Sequence, residues 1–79
     1  MNNTRLIKCF EQALGVPAEQ VTDNLAYSSI KQWDSVAHMS LVAALETEFD
    51  IMMDTDDILA MNSVAVARQI LQRYGIVFD

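Results

Sequence analysis

The chain holds only two glycines, Gly15 and Gly75, and one proline, Pro17. An all-β fold needs many tight turns, and tight turns draw on these residues, so the material for one is lacking. Instead, Gly15, Pro17 and Gly75 stand where apolar-periodic segments stop, which is the placement that ends helices. Ala, Leu, Val and Met are abundant, which suits compact helices. At 79 residues, the expectation is a single domain over residues 1–79 with one marginal core.

Four helices are predicted. The first runs from a cap at Asn3 or Thr4 to Gly15, with Leu6, Ile7, Phe10, Ala13 and Leu14 on one apolar stripe. Cys9 flanks that stripe as a small half-buried filler, and as a lone cysteine it makes neither a disulfide nor a cysteine-built zinc site. Residues 16–33 show no sustained period; Val21, Leu25 and Ile30 are spaced anchors, and Ala26 to Ile30 are expected to form a short turn of helix. A connection of this length in a small domain points to function. The second helix is predicted from Asp34 or Ser35 to Phe49 or Asp50. Leu41, Val42, Leu45 and Phe49 form its core stripe, and Val36, Met39 and Ala43 form a half-exposed one that continues into Glu46 and Thr47. Asp54 or Thr55 opens a short third helix through Ala60. Asn62 or Ser63 opens the last, through Tyr74, which buries Val64, Ala67, Ile70, Leu71 and Tyr74 and leaves Arg68 and Arg73 outside. The layout is all-α, with a long first loop and a short third helix.

Charge is unevenly placed. The net charge is −6, and residues 34–57 hold Asp34, Glu46, Glu48, Asp50, Asp54, Asp56 and Asp57 with no Lys or Arg. Such a surface repels phosphate backbones, which argues against nucleic-acid binding, and attracts proteins with a basic patch. The Asp54–Asp57 cluster lacks the Gly and Glu that an EF-hand loop requires, so no dedicated metal site is expected. No apolar run approaches the ~20 residues of a membrane span and no signal peptide opens the chain, so a cytoplasmic monomer without membrane insertion is expected.

The sharpest local feature is Trp33-Asp34-Ser35-Val36 at a helix start. A serine there has an exposed hydroxyl beside backbone N–H groups that no carbonyl satisfies, and these favour a phosphate esterified at that hydroxyl. Asp34 can cap the helix and help hold a metal in a modifying enzyme. By itself the dipeptide is weak evidence, because Asp and Ser are ordinary caps and capping alone explains it better. His38 lies one turn from Ser35, but no triad-like acid or oxyanion donors accompany it, so a small enzyme built on the pair is disfavoured.

Asp34-Ser35-Val36, then Leu41-Val42, then Leu45-Glu46-Thr47-Glu48-Phe49-Asp50-Ile51 resembles the acyl carrier protein family, with the short acidic helix and the Ser63-Val64 start falling where that family has them. The resemblance implies a four-helix bundle with 4′-phosphopantetheine on Ser35, flanked by Asp34. It implies attachment from coenzyme A by a phosphopantetheinyl transferase and an acyl or aminoacyl group held as a thioester. Its further partners are loading, condensing or transferring enzymes with basic docking patches. The carrier itself performs no catalysis. Val36, Met39 and Glu46 are the expected docking residues. Trp33, Val36 and His38-Met39 depart from the fatty-acid-synthesis pattern, and the Trp-Asp-Ser-x-x-His-Met run looks more like stand-alone carriers of specialised pathways. The alternatives are a housekeeping fatty-acid-synthesis carrier and an unmodified acidic helical adaptor that uses Ser35 only as a cap.

Overall fold

In the computed structural model, which describes residues 1–78, four helices follow one another: α1 (Asn2–Leu14), α2 (Ser35–Phe49), α3 (Thr55–Ala60) and α4 (Val64–Arg73). A 3₁₀ turn at Ala18–Gln20 interrupts the long first connection. Among the described residues there is no strand, only an isolated bridge between Ala26 and Ser63. The all-α layout with its long first loop and short third helix is therefore the one that forms.

α1 packs along α2. Its buried residues are Leu6, Cys9, Phe10 and Leu14, spaced three and four apart as one helix face requires. The face is turned slightly from the expected stripe: Cys9 is fully inside, and Ile7 and Ala13 are only partly covered. The Cys9 thiol lies 3.7 Å from the Ala44 carbonyl of α2, within reach of a weak S–H bond. Gly15 ends α1 in the left-handed region (φ 69°), and its N–H reaches the Glu11 carbonyl. Only Gly adopts that conformation without strain from a Cβ.

The helix starts one residue earlier than Asn3, with Met1 as its cap residue and no side-chain cap. The asparagines are engaged elsewhere. Asn2 donates to the Val77 carbonyl, and Asn3 accepts from the Arg68 guanidinium of α4. These long-range bonds tie α1 to the far end of the chain, which a local cap cannot do.

The connection from 16 to 33 stays close to the core. Val16, Val21 and Leu25 are buried and Ile30 is partly so. The expected helical turn at Ala26 to Ile30 does not form; these residues make turns, with Ser28 in the left-handed region. Their backbone groups pair outward instead. Tyr27 N–H donates to the Asn62 carbonyl, Val64 N–H to that of Leu25, and Ser28 N–H to that of Trp33. A helical turn would have used those groups locally and left the start of α4 without partners.

α2 buries Leu41, Val42, Leu45 and Phe49, as its period predicts. α4 buries Val64, Ala67, Ile70 and Leu71 and is capped by the Ser63 hydroxyl, which accepts from Val66 N–H. Tyr74 lies just past its end and is only partly covered. Arg68 is not a free surface charge: it pairs with Asp23 at 2.7 Å.

Candidate functional site

The site is built where the long connection enters α2. Trp33, the last apolar residue of that connection, is 0% exposed and packs edge-on to Phe10. A buried indole N–H needs an acceptor. It finds Nδ1 of His38 at 3.0 Å. With Nδ1 accepting, the proton of the imidazole sits on Nε2, which donates to the Ile58 carbonyl of α3 at 2.8 Å. A chain of two hydrogen bonds thus runs from the core, through α2, to α3.

Asp34 is the cap of α2. Its carboxylate accepts from Ala37 N–H at 2.9 Å and its carbonyl accepts from His38 N–H. Ser35 is therefore the first helical residue and not the cap. It is exposed, and among the described residues its hydroxyl has no hydrogen-bond partner. The N–H groups of Ser35 and Val36 are likewise unpaired among the described residues, at the positive end of the helix dipole.

Beside Ser35 a cleft of about 360 Å³ separates α2 from α3. Ser35, His38 and Met39 line it from α2, Ile58 and Leu59 from α3, and Tyr27 from the connection. The lining is mainly apolar and the cleft opens to solvent. Met39, which lines the cleft, is 55% exposed and Val36, next to Ser35 in the chain, is 76% exposed, so the second stripe of α2 is more open than its sequence suggests.

Glu46 has a different position. It is half-buried, and its carboxylate accepts from Met53 N–H at 2.9 Å, shaping the turn that leads into α3. Two other acids of the 34–57 stretch are paired with arginines: Glu48 with Arg5 and Asp57 with Arg73. Asp50, Asp54 and Asp56 remain exposed. No set of three or more His, Cys, Asp or Glu among the described residues is placed to hold a metal ion. Cys9 lies away from the cleft, and burial first, then the charge of Glu48, pushes its thiol up to about 11 against the lowering effect of Arg5.

A family model described as the phosphopantetheine attachment site matches residues 4–67. The chain belongs to that family. A search of curated proteins returned no match. The family holds 4′-phosphopantetheine covalently, and the chain has the general carrier role that goes with it. The residues at the start of α2 fit such a group: a free hydroxyl, two unpaired N–H donors for a phosphodiester, and an apolar cleft next to them. No helix among the described residues is long and apolar enough to cross a membrane.

Of the residues singled out by sequence reasoning, Ser35 and Met39 line the cleft, Asp34 and Val36 flank Ser35 in the chain, and Glu46 lies apart at the turn into α3. That reasoning missed Tyr27, Ile58 and Leu59 as cleft walls, and it missed the link through His38. The available signal was a tryptophan five residues before the only histidine.

Proposed function

We propose that Ser35 carries the phosphopantetheine arm, with Asp34 beside it as the cap that fixes its position. The observation that carries this reading is the free Ser35 hydroxyl, next to unpaired helix N–H groups and opening onto an apolar cleft. When bound, the arm supplies a thiol that holds an acyl or aminoacyl group as a thioester. The chain's own residues position the arm, shelter part of its cargo between α2 and α3, and present the rim to partners. Tethering raises the effective concentration of the cargo at each enzyme met in turn.

The reading extends to one carrier domain over residues 1–79, a cytoplasmic monomer that is not itself an enzyme. A phosphopantetheinyl transferase would load it, and partners with basic patches would dock on Val36 and Met39, with Glu46 at the edge. The exposed acids support weak, salt-sensitive encounters, and the apolar rim sets how long a complex lasts. The Trp33 to Met39 run supports a specialised pathway over housekeeping fatty-acid synthesis.

The test is intact mass after incubation with coenzyme A and a broad-specificity transferase. Wild type gains one phosphopantetheine and Ser35→Ala gains none. Because Asp34 supplies the cap, Ser35→Ala keeps its helical circular dichroism. Arm transfer to Ser35→Ala would refute the assignment. On the docking face, Met39→Ala shortens the transferase complex. Lys8→Glu, exposed on α1, is the appropriate control, because Arg68→Glu breaks contacts with Asp23 and Asn3.

A further inference from the structure

We propose that His38 sets how deeply the tethered group enters the bundle, acting as a fixed wall between the cleft and the core. The proposal rests on the carrier reading above and names the residue that decides which cargo fits. Three observations support it. His38 lines the cleft on the same helix as Ser35. Its ring is stacked against Trp33, 20° from parallel, and Trp33 is fully buried and does not line the cleft. Both imidazole nitrogens are engaged, Nδ1 by the indole and Nε2 by the Ile58 carbonyl.

A side chain held at both ends cannot rotate aside cheaply. Swinging the ring away strands the buried indole N–H and removes a partner from Ile58, and an orphaned buried donor is more costly than a normal bond is favourable. The neighbours do not offer a substitute. Tyr27 meets the His38 ring edge-on. The apolar space behind it, around Trp33 and Phe10, is therefore closed to a chain entering beside Ser35. Short or compact apolar groups fit within the cleft. The distal part of a long acyl chain stays outside, against the exposed Met39 and Leu59.

The experiment loads wild type with acetyl, butyryl, octanoyl and dodecanoyl forms of the arm, using the corresponding coenzyme A esters. Two quantities are read: the rate of spontaneous thioester hydrolysis and the emission of Trp33, the only tryptophan. In wild type, protection stops growing once the cleft is filled, so octanoyl and dodecanoyl forms hydrolyse at the same rate and Trp33 emission is equal in all four. In His38→Ala the wall is gone. The dodecanoyl form then hydrolyses at least about threefold more slowly than the octanoyl form, as expected when further methylenes leave water, and Trp33 emission shifts with chain length. Should His38→Ala fail to give a folded circular dichroism spectrum, the series on His38→Gln decides. Its amide can still donate to Ile58 but cannot cover the indole, so the plateau moves outward by less.

Wild-type protection or Trp33 emission that keeps changing through dodecanoyl overturns the proposal. So does a folded His38 variant with the wild-type length dependence. A protein that accepts no arm at all refutes the carrier assignment and this proposal together, whereas a loaded protein without a length limit refutes this proposal alone.

Discussion

α3 and α4 are consecutive helices held in place by different forces. α4 buries four side chains and is capped by Ser63. α3 buries none. It is secured by polar links: Asp54 N–H donates to the Tyr74 hydroxyl at 2.9 Å, that hydroxyl donates to Asp57 at 2.7 Å, Arg73 pairs with Asp57, and Ile58 accepts from His38. Met53 and Met61, both buried, anchor the chain on either side. Apolar burial accumulates over a face and cannot be released piecemeal, whereas water competes for each polar link, leaving about 0.5–1.5 kcal/mol apiece. The fold is thus secured on the α1–α2–α4 side, and α3, the outer wall of the cleft, is held less firmly than the His38 wall on α2.

The largest expected effect sets the two helices side by side. Leu71→Ala on α4 removes a fully buried side chain and should cost ~2–5 kcal/mol by urea unfolding. Leu59→Ala on α3, where the side chain is 76% exposed, should stay within ~0.5 kcal/mol. Comparable losses would abolish the contrast.

Cys9 sharpens it from the core side. Burial raises its pKa from 9.0 to about 11. A raised value means that the folded state holds the proton more tightly. This contribution to stability is complete below pH 9.0 and is lost as pH rises through about 11. At pH 8 the folded chain should offer roughly a hundredfold less Cys9 thiolate than a free cysteine. A disulfide reagent should therefore label the thiol of the arm at once and Cys9 slowly. Fast labelling of Cys9 in apo protein would mean that the α1–α2 contact opens as readily as α3.

A local effect, smaller than that of Leu71→Ala, is expected at Tyr74→Phe, which deletes the hydroxyl that bridges Asp54 and Asp57. It should lower the opening free energy of α3 by about 1 kcal/mol, a roughly fivefold faster exchange of its amides. The amides of α4 should be nearly unaffected. Equal acceleration in both helices would show that they open together.

The same contrast explains what was legible in the sequence. The period of α2 and α4 carries their packing, so Leu41, Val42, Leu45, Phe49, Val64, Ala67, Ile70 and Leu71 were recoverable from spacing alone. The cap positions of α2 and α4 followed from side-chain chemistry, within the one-residue ambiguity that adjacent capping residues leave. What spacing cannot carry is a partner distant in the chain. Asn3 looks like a cap until Arg68 is found beside it. Ala26 to Ile30 look helical until Asn62 and Trp33 take up their backbone groups. His38 reads only as a helix-surface or core-edge residue because nothing local reveals that the connection folds back to place Trp33 against it. Likewise the acidic run reads as uniform repulsion until Arg5 and Arg73 are brought to it.

The division between an apolar-held helix and a polar-held one is tested most directly by native-state amide exchange in increasing urea. The account predicts that the amides of Ile70 and Leu71 exchange only through global unfolding. Those of Ile58 and Met61 should exchange through a smaller opening of lower free energy and weak urea dependence. If Ile58 and Met61 follow the same urea dependence and free energy as Ile70 and Leu71, α3 is part of one cooperative core and the account is contradicted.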